Sequence, residues 1–386
     1  MCVRDHTCSP KEHALAVLDH KRRAAPALDV VPPPAALDLR AVRREVDTAL
    51  ATFLDTKEQS APGPELPFLI AQLRTFLTGG KRLRPLLCVC GWYAGGGEVD
   101  HSPAVRAAAG LELFQAFALI HDDVMDASDA RRGRPSAHRA LAAAYTAGGG
   151  PVSRAQEHGV GAAVLLGDLA LIWSDELLHG AGLTVQGSER LLPLLDEMRS
   201  EVVYGQFLDL QTTGRLSGDV ETALRVIRYK TAKYTVERPL HIGAALAGPS
   251  AGVEAALSGF ALPLGDAFQL RDDLLGVFGD PRETGKPVLD DVRAGKATVL
   301  MALAVQRASR SELRSLRARF GRPNLTERDA DVVRSILERT GARQAVEEMI
   351  RIRRDEALAS LDHAPFPAAA VAALRDIAGS ATARQA

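Results

Sequence analysis

Apolar residues recur at helical spacing along most of this chain. From residue 37 onward the segments are rich in Ala, Leu, Arg and Glu, which favour helix, and no run of alternating β-branched residues suggests a strand. Breaks that contain Gly, Pro or other turn-forming residues separate these segments at residues 61–64, 94–102, 148–151, 212–218, 248–249 and 279–286. The pattern predicts an all-α fold, a bundle of roughly ten or more helices around a central cavity.

The start of the chain does not follow this pattern. Residues 1–36 are polar or broken by a run of prolines at 32–34, so the sequence predicts a disordered or weakly docked N-terminal tail. The remaining residues, 37–386, are predicted to form a single all-α domain. A chain of 386 residues with 46% hydrophobic content is large enough to bury a substantial core.

Charge and cysteine content narrow the class of protein. The chain has 47 Lys and Arg against 48 Asp and Glu, a balance that gives no reason to expect a nucleic-acid partner. Its 4 cysteines form no disulfide framework, and a reducing cytoplasm is the simplest location. Charges interrupt the apolar stretches before they reach the ~20 residues that a membrane span needs, so no stable membrane insertion is expected.

Two acidic clusters give the first indication of chemistry. One contains Asp122, Asp123 and Asp126, the other contains Asp272 and Asp273, and each follows a mostly apolar segment. The pattern predicts that both lie at helix C-termini, where the helix dipole disfavours carboxylates. A bound divalent cation would remove that conflict, and Mg²⁺ prefers oxygen ligands. We therefore predict that these aspartates form a magnesium site. The alternative for either cluster alone is a solvated acidic turn.

Basic residues follow each cluster and also occur in two other segments. Mixed Arg and Lys groups beside metal-binding acids suit diphosphate, because Arg binds phosphate through two hydrogen bonds and Lys acts as a point charge. Each basic group alone is more often part of a solvated surface. Together they predict a site for magnesium and diphosphate. The basic residues in these segments are Lys81, Arg82, Arg84, Arg131, Arg132, Lys230, Lys233, Lys286 and Lys296.

Five motifs occur in an order that resembles one known family, the trans-isoprenyl diphosphate synthases, and especially its geranylgeranyl-forming members. They are GGKRLRP at 79–85, DDVMD at 122–126 with RRGRP at 131–135, KTA at 230–232, QLRDDLLGVFGD at 269–280 and GKP at 285–287. The similarity spans residues 66–303. One departure is Gly276, where the fullest form of the family pattern has a third aspartate. Many members share this glycine.

The resemblance implies an enzyme, a prenyltransferase that condenses isopentenyl diphosphate with an allylic diphosphate through a carbocation. The implied catalytic residues are Asp122, Asp126, Arg131, Lys230 and Asp272. The aspartates among them would hold Mg²⁺ and the allylic diphosphate, and the cations, with Lys286, would neutralise its charge. The resemblance also implies a homodimer.

The second substrate, isopentenyl diphosphate, is assigned to a separate group of residues. The positions that match the family are Lys81, Arg84, Arg132 and Gln115. Further candidate substrate ligands are Thr231, Gln269 and Lys296. His121 is expected to pack beside the site, since Mg²⁺ prefers oxygen to nitrogen. Tyr234 is a candidate to line the cavity, although aromatic residues in helices are often plain core.

Product length is predicted from the helix that ends at the first cluster. The growing tail should run back along it, so that Phe117, five residues before Asp122 and about 7.5 Å along the axis, forms the floor. Phe114 lies further back, and Ala118 is small and leaves room. This arrangement resembles geranylgeranyl-forming members, whereas two adjacent aromatic residues resemble farnesyl-forming ones. The alternatives are a farnesyl or longer product, with Phe117 as ordinary core.

Two other classes of function remain open at this point. A class I terpene cyclase shares the aspartate-rich helix and the carbocation chemistry, but it has no use for the motif at 79–85. A non-catalytic subunit of a synthase usually lacks one acidic cluster, and only Gly276 points in that direction. The retained clusters and motifs favour the chain-elongating prenyltransferase.

Overall fold

The computed structural model describes residues 37–97, 100–181, 184–248, 252–279 and 289–382. The predicted N-terminal tail, residues 1–36, lies outside them. The same holds for Lys286, the predicted substrate ligand in the GKP motif.

The first half of the described chain consists of helices α1 to α7. They are α1 (Leu39–Gln59), α2 (Glu65–Leu77), α3 (Leu83–Ala94), α4 (Ser102–Met125), α5 (Ala137–Ala147), α6 (Ala155–His179) and α7 (Val185–Thr212). A short 3₁₀ turn, Val152–Arg154, precedes α6. Between α4 and α5 two short strands, β1 (Ala130–Arg131) and β2 (Arg134–Pro135), pair antiparallel. This hairpin was not predicted, because strands of two residues are too short to show alternation.

The second half is also helical. It contains α8 (Val220–Val226), a π-helical segment (Ile227–Glu237), α9 (Arg238–Ala247), α10 (Val253–Phe278), α11 (Asp290–Ala294), α12 (Val299–Arg307), α13 (Arg310–Arg317), α14 (Glu327–Arg339), α15 (Ala342–Ser360) and α16 (Ala368–Thr382). The prediction of an all-α fold is confirmed. Each predicted break that lies within the described residues falls at a boundary between helices.

Capping side chains mark where helices begin. Asp38 accepts hydrogen bonds from the amides of Arg40 and Ala41, at 2.9 and 3.1 Å, at the start of α1. Thr184 accepts from the amide of Gly187, at 3.1 Å, at the start of α7. These side chains satisfy amides that have no partner inside the helix, and they thereby fix the first turn.

The buried apolar side chains form two cores that share α10. The larger core packs α1 to α4, α6, α7 and α9 around the N-terminal half of α10, and its buried rings include Phe114 and Phe260. The smaller core packs α12, α14 and α15 against the C-terminal half of α10 and includes Leu270 and Leu300. Because α10 is fixed in both cores, the second acidic cluster that it carries has a defined place in the fold.

Helix α4 crosses the larger core and packs most extensively against α6. By length and composition it could cross a membrane, and among the described residues it is the single helix that passes this test. The expectation that no apolar stretch is long enough was therefore wrong for α4. In this fold 67% of its most apolar window is buried inside the protein, which is the pattern of a core helix.

The two acidic clusters occupy different positions on their helices. Asp122 lies in the last turn of α4 and Asp126 caps that helix, as predicted. Asp272 and Asp273 instead lie within α10, which continues through the apolar run 274–278. The prediction that both clusters lie at helix ends is wrong for the second one, because that apolar run extends the helix. The conflict with the helix dipole therefore exists only in α4.

Candidate active site

Asp122 lies between two cations. Lys230 Nζ is 3.0 Å from its Oδ1, and Arg131 Nη2 is 3.3 Å from its Oδ2. Lys230 also donates to Oδ2 of Asp209 on α7, at 2.6 Å. Burial alone would raise the pKa of Asp122, but the net shift is downward because Lys230 and two further cations lie close to it. The Asp122 carboxylate is therefore held ionised, as a metal ligand must be.

Arg131 is oriented by the carboxylate next to Asp122. It projects from β1, and its Nε and Nη2 donate to the two oxygens of Asp123, each at 2.7 Å. Asp123 is fully buried, and a bidentate pair of this kind fixes the plane of the guanidinium group. Asp123 thus positions Arg131. Of the metal ligands predicted in this cluster, Asp122 and Asp126 are the more accessible.

Lys296 reaches the first cluster from the segment that follows the second. Its Nζ lies 3.0 Å from Oδ2 of Asp126. Its backbone amide donates to the carbonyl of Asp291, at 2.8 Å, and Gly295 makes the turn with a φ of 71°. Burial would lower the pKa of Lys296, but the carboxylates of Asp291 and Asp126 raise it overall. This predicted substrate ligand is therefore charged.

The second cluster is connected to the π-helical segment. Asp273 is buried, and its Oδ1 accepts from Nε2 of Gln269, at 2.8 Å. Oε1 of Gln269 in turn accepts from the Thr231 hydroxyl, at 2.7 Å. Burial, and then the carboxylates of Asp291 and Asp272, raise the pKa of Asp273 well above its ordinary value. Asp272 is only partly buried, and no described residue hydrogen-bonds to its carboxylate.

Gly276, the departure from the family pattern, lies against a further carboxylate. A Cβ at this position would stand 2.4 Å from Oδ2 of Asp291, which belongs to α11. Only glycine leaves that space on the surface of α10. The volume that a third aspartate of the motif would need is thus occupied by the carboxylate of Asp291. This carboxylate acts on both Asp273 and Lys296.

The π-helical segment connects the two clusters through consecutive residues. Lys230 pairs with Asp122 on α4, whereas Thr231 bonds to Gln269 on α10. Gly205 on α7 permits the close packing of this segment, since a Cβ there would lie 2.4 Å from the Lys230 amide nitrogen. π-Helical turns frequently occur at functional sites. The segment brings residues of both clusters to one site.

A second group of predicted substrate ligands lies at the start of α3. The Arg84 guanidinium carbon stands 4.2 Å from the centroid of the Tyr234 ring, and its Nη2 donates to the Thr235 hydroxyl, at 2.5 Å. The Tyr234 hydroxyl donates to Oε1 of Gln115, at 2.6 Å. Nε of Arg84 is buried and has no hydrogen-bond partner among the described residues. A buried unpaired donor costs free energy, and a bound anion would satisfy it.

Arg132 lies against the glycines that precede α3. A Cβ on Gly80 would be 2.9 Å from its guanidinium nitrogens, and both Gly79 and Gly80 have positive φ, 82° and 81°. Burial, and then the neighbouring guanidinium groups, lower the pKa of Arg132, although Glu112 opposes the shift. Lys81 is exposed beside this turn. Positive charge concentrated in this way suits a diphosphate.

Arg82, within the same motif, has a structural role. Its Nη1 donates to Glu112, at 2.6 Å, its Nε donates to Asp47, at 2.8 Å, and its Nη2 donates to the Leu77 carbonyl, at 2.7 Å. The side chain is buried, and the residue has a positive φ of 53°. Arg82 thus anchors the turn before α3 to α1 and α4. The predicted substrate ligands nearby are instead Lys81, Arg84 and Arg132.

The residues predicted to set product length form an aromatic wall upstream of Asp122. The Phe114 ring is buried and contacts Phe117 and Tyr234, with centroid distances of 5.3 and 5.7 Å. Phe117 and Ala118 are partly buried. The wall lies on α4, on the N-terminal side of the first cluster, where the floor of the tail pocket is predicted.

Sequence reasoning missed two acids of this site. Asp209 has no acidic neighbour near the end of α7, and only its approach to Lys230 in the fold reveals its role. Asp291 offered a signal, because it belongs to an acidic pair at 290–291 that closely precedes the predicted ligand Lys296. Unlike the two clusters, neither position follows a long apolar segment.

We expect the substitution Asp273→Asn to stabilise the protein in a chelator while impairing turnover. Folding raises the pKa of this carboxyl, so the folded protein favours its protonated form. The stability that this provides is present below the unfolded pKa and is lost as pH rises through the folded pKa. At pH 7 the neutral amide should therefore raise the melting temperature by about 2 °C or more, and the gain should shrink at pH 4. The exposed Asp376→Asn is the control for thermal unfolding. A lower melting temperature at pH 7 would contradict the expectation.

These observations define a class of protein. The fold is an all-α bundle, and a shared group of cations connects its two aspartate-bearing helices. A second group of predicted anion ligands lies alongside. Together these features are typical of a helical diphosphate-binding synthase. A family model described as polyprenyl synthetase matches residues 67–339, and the chain belongs to this family. The sequence-based resemblance to the trans-isoprenyl diphosphate synthases is confirmed, and the protein is a trans-prenyltransferase.

Solved and curated relatives agree in fold and family. The chain is 41% identical to a geranylgeranyl pyrophosphate synthase from Corynebacterium glutamicum, and the two structures superpose with a TM-score of 0.86 over 90% of this chain and 100% of that one. It is 32% identical over 306 residues to geranylfarnesyl diphosphate synthase of Aeropyrum pernix, covering 76% of this chain and 87% of the relative. It is 33% identical over 290 residues to geranylgeranyl diphosphate synthase of Mycobacterium tuberculosis, covering 74% and 76%.

Proposed function

We propose that this protein elongates an allylic diphosphate by condensing it with isopentenyl diphosphate, and that its main product is geranylgeranyl diphosphate. The main support for the proposal is that the π-helical segment contacts both of the helices that carry the acidic clusters. Lys230 reaches Asp122 and Thr231 reaches Gln269, so both acidic clusters share one site. The Arg84 network supplies a second anion site. Two such sites suit a reaction between two diphosphate substrates, because each holds one reactant in place for the other.

The proposal includes Mg²⁺, which would be held by Asp122, Asp126 and Asp272. The donor set fits, because all three supply carboxylate oxygens. Within the described ranges no three His, Cys, Asp or Glu residues could hold a metal ion by themselves. Mg²⁺ is commonly held by one or two carboxylates together with substrate phosphates. The C. glutamicum relative, solved with isoprenyl diphosphate and magnesium, supports this assignment. Bound Mg²⁺ would stabilise the charge that develops on the departing diphosphate.

The side chains then act on the two substrates. Arg131 and Lys230 bind the allylic diphosphate while its C1–O bond breaks, and the diphosphate leaves with the electron pair. Arg84 and Arg132 hold isopentenyl diphosphate so that its double bond meets the allylic cation. A new carbon–carbon bond forms at C1, and a proton lost from the former isopentenyl unit restores a double bond. The departing diphosphate accepts this proton, so no side-chain base is needed. The double bond of isopentenyl diphosphate is itself the nucleophile, so no side-chain nucleophile is needed either.

The test is whether diphosphate release requires both substrates. Purified protein in Mg²⁺ is incubated with dimethylallyl diphosphate, with isopentenyl diphosphate, or with both, and released diphosphate is measured. We expect release only with both. A parallel reaction contains geranylgeranyl diphosphate alone. Release from this long allylic substrate without isopentenyl diphosphate would instead support a cyclase, and no release in any reaction would contradict the proposed function.

We expect the native enzyme to make a twenty-carbon product and Phe117→Ala to lengthen it. Removal of the ring opens the floor of the tail pocket while the clusters around Asp122 stay in place. The products are dephosphorylated and separated by chain length. Phe53→Ala is the matched control, because Phe53 is also a partly buried ring in an edge contact, 6.2 Å from Trp173, but on α1. A fifteen-carbon native product, or an unchanged length in Phe117→Ala, would contradict this assignment.

The proposal also includes a homodimer, formed where α6 and α7 expose apolar side chains. Leu165 and Ile172 on α6 are 64% and 60% exposed, and Val203 and Phe207 on α7 are 59% and 55% exposed. An ion pair between Asp175 on α6 and Arg199 on α7 links the two helices. Such a patch commonly marks a protein–protein interface, and a second copy would cover it. Light scattering should give twice 41.2 kDa for the native chain and a lower mass for Phe207→Glu. A monomeric native chain would contradict the dimer.

A further inference from the structure

His121, the residue before Asp122, occupies a slot on α6 that only a glycine leaves open. A Cβ on Gly167 would lie 2.4 Å from both Cδ2 and Nε2 of the imidazole ring. Nε2 of His121 lies 3.0 Å from the Val164 carbonyl oxygen and donates to it in the tautomer protonated at Nε2. The slot and the hydrogen bond together fix the orientation of the ring.

The same ring supports the predicted floor of the tail pocket. His121 and Phe117 are one turn apart on α4, and their rings meet edge to face with a centroid distance of 4.8 Å and an interplanar angle of 68°. Phe117 also contacts Phe114, which contacts Tyr234. Phe117 is thus held between an inner ring that is buried and an outer ring that is held by α6. Such edge contacts are specific in geometry.

We propose that His121, seated against Gly167, is a positioning residue that fixes the Phe117 ring and thereby helps to set product length. The inference rests on the proposed function, because it concerns the length of the elongated chain. Phenylalanine side chains occupy discrete rotamers. When the imidazole ring is in place, Phe117 keeps the orientation that closes the pocket. When it is removed or displaced, Phe117 gains other orientations, and a fraction of the growing tails passes the floor.

Two substitutions test this from opposite sides of the contact. His121→Ala removes the supporting ring. Gly167→Ala leaves the ring but places a methyl group where it now lies, so the imidazole must leave the slot. The clash is with a side chain that is partly exposed, so the ring can move without unfolding the protein. Gly161→Ala, on the same helix, is the matched control, because a Cβ there meets no atom within 4 Å.

The readout is the ratio of longer products to the main product, measured at equal substrate conversion so that a loss of turnover does not affect it. We expect His121→Ala and Gly167→Ala each to raise this ratio roughly two- to tenfold, the range expected for loss of one ring–ring contact. Gly161→Ala should leave it unchanged. The double variant His121→Ala/Gly167→Ala should equal His121→Ala alone, because the added methyl group acts only through the ring.

The outcomes separate this inference from the proposed function. If Phe117→Ala lengthens the product while His121→Ala and Gly167→Ala do not, the positioning role of His121 is wrong and Phe117 remains the floor. If none of the three variants changes product length, the floor itself is misassigned. Additive effects of His121→Ala and Gly167→Ala would also overturn the inference, since the glycine would then act on something other than the ring. Should Gly167→Ala fail to fold, His121→Ala alone decides.

Discussion

Replacing Asp122 with alanine is expected to lower turnover by about 100-fold or more while the protein stays folded. Asp122 pairs with both cations of the proposed allylic site, since Lys230 contacts one of its carboxylate oxygens and Arg131 contacts the other. Its loss removes a predicted metal ligand and also one of the acids that hold each cation. Turnover is measured at several Mg²⁺ concentrations, and thermal unfolding confirms the fold.

Asp129→Ala is the control for this substitution. Asp129 lies just after the first cluster, but its side chain is 79% exposed and its carboxylate pairs with Arg139. We expect near-native turnover in this variant. Native-like turnover in Asp122→Ala, with an unchanged Mg²⁺ requirement, would show that the metal site is misassigned.

Loss of Arg84 and loss of Lys230 should impair different substrates. Arg84→Ala removes the guanidinium group whose buried Nε lacks a partner among the described residues. We expect the KM for isopentenyl diphosphate to rise about 10- to 100-fold, the effect of losing charge-assisted hydrogen bonds. Lys230→Ala removes the cation beside Asp122, so we expect kcat and the affinity for the allylic substrate to fall instead. Both substrates are titrated in each variant. A rise in the allylic KM for Arg84→Ala, with an unchanged isopentenyl KM, would mean that the two sites are exchanged.

The local sequence was enough to predict the helices and the position of the first acidic cluster at the end of its helix. Turn-forming residues at 148–151 and 212–218 lie between helices, because several such residues close together disfavour a continuous helix. The first cluster lies at the end of α4 as expected, with Asp122 in the last turn and Asp126 as the cap. The second cluster was misplaced because the helix was expected to end at the aspartates, although the predicted break begins only at residue 279. The run 274–278 stays apolar, and its Leu274, Val277 and Phe278 pack into the smaller core, so α10 continues to Phe278.

The connections across the site were not predictable in the same way. A π-helical segment differs from an α-helix by its hydrogen-bond register, which the spacing of apolar residues does not reveal. The close approach of Gly205 to this segment is likewise visible only in the fold. Asp209 and Asp291 join the site through folds of the chain that bring separate helices together. Gly276 was recognised as a departure, but its reason, the carboxylate of Asp291, became visible only in three dimensions.

The measurement that tests the central claim most directly is identification of the product. The purified native chain is incubated in Mg²⁺ with farnesyl diphosphate and isotopically labelled isopentenyl diphosphate, and the products are analysed by mass spectrometry. The account predicts a twenty-carbon allylic diphosphate that contains one labelled five-carbon unit, and Asp122→Ala should abolish it. Recovery of both substrates unchanged, or an unlabelled hydrocarbon formed from farnesyl diphosphate alone, would contradict chain elongation at this site.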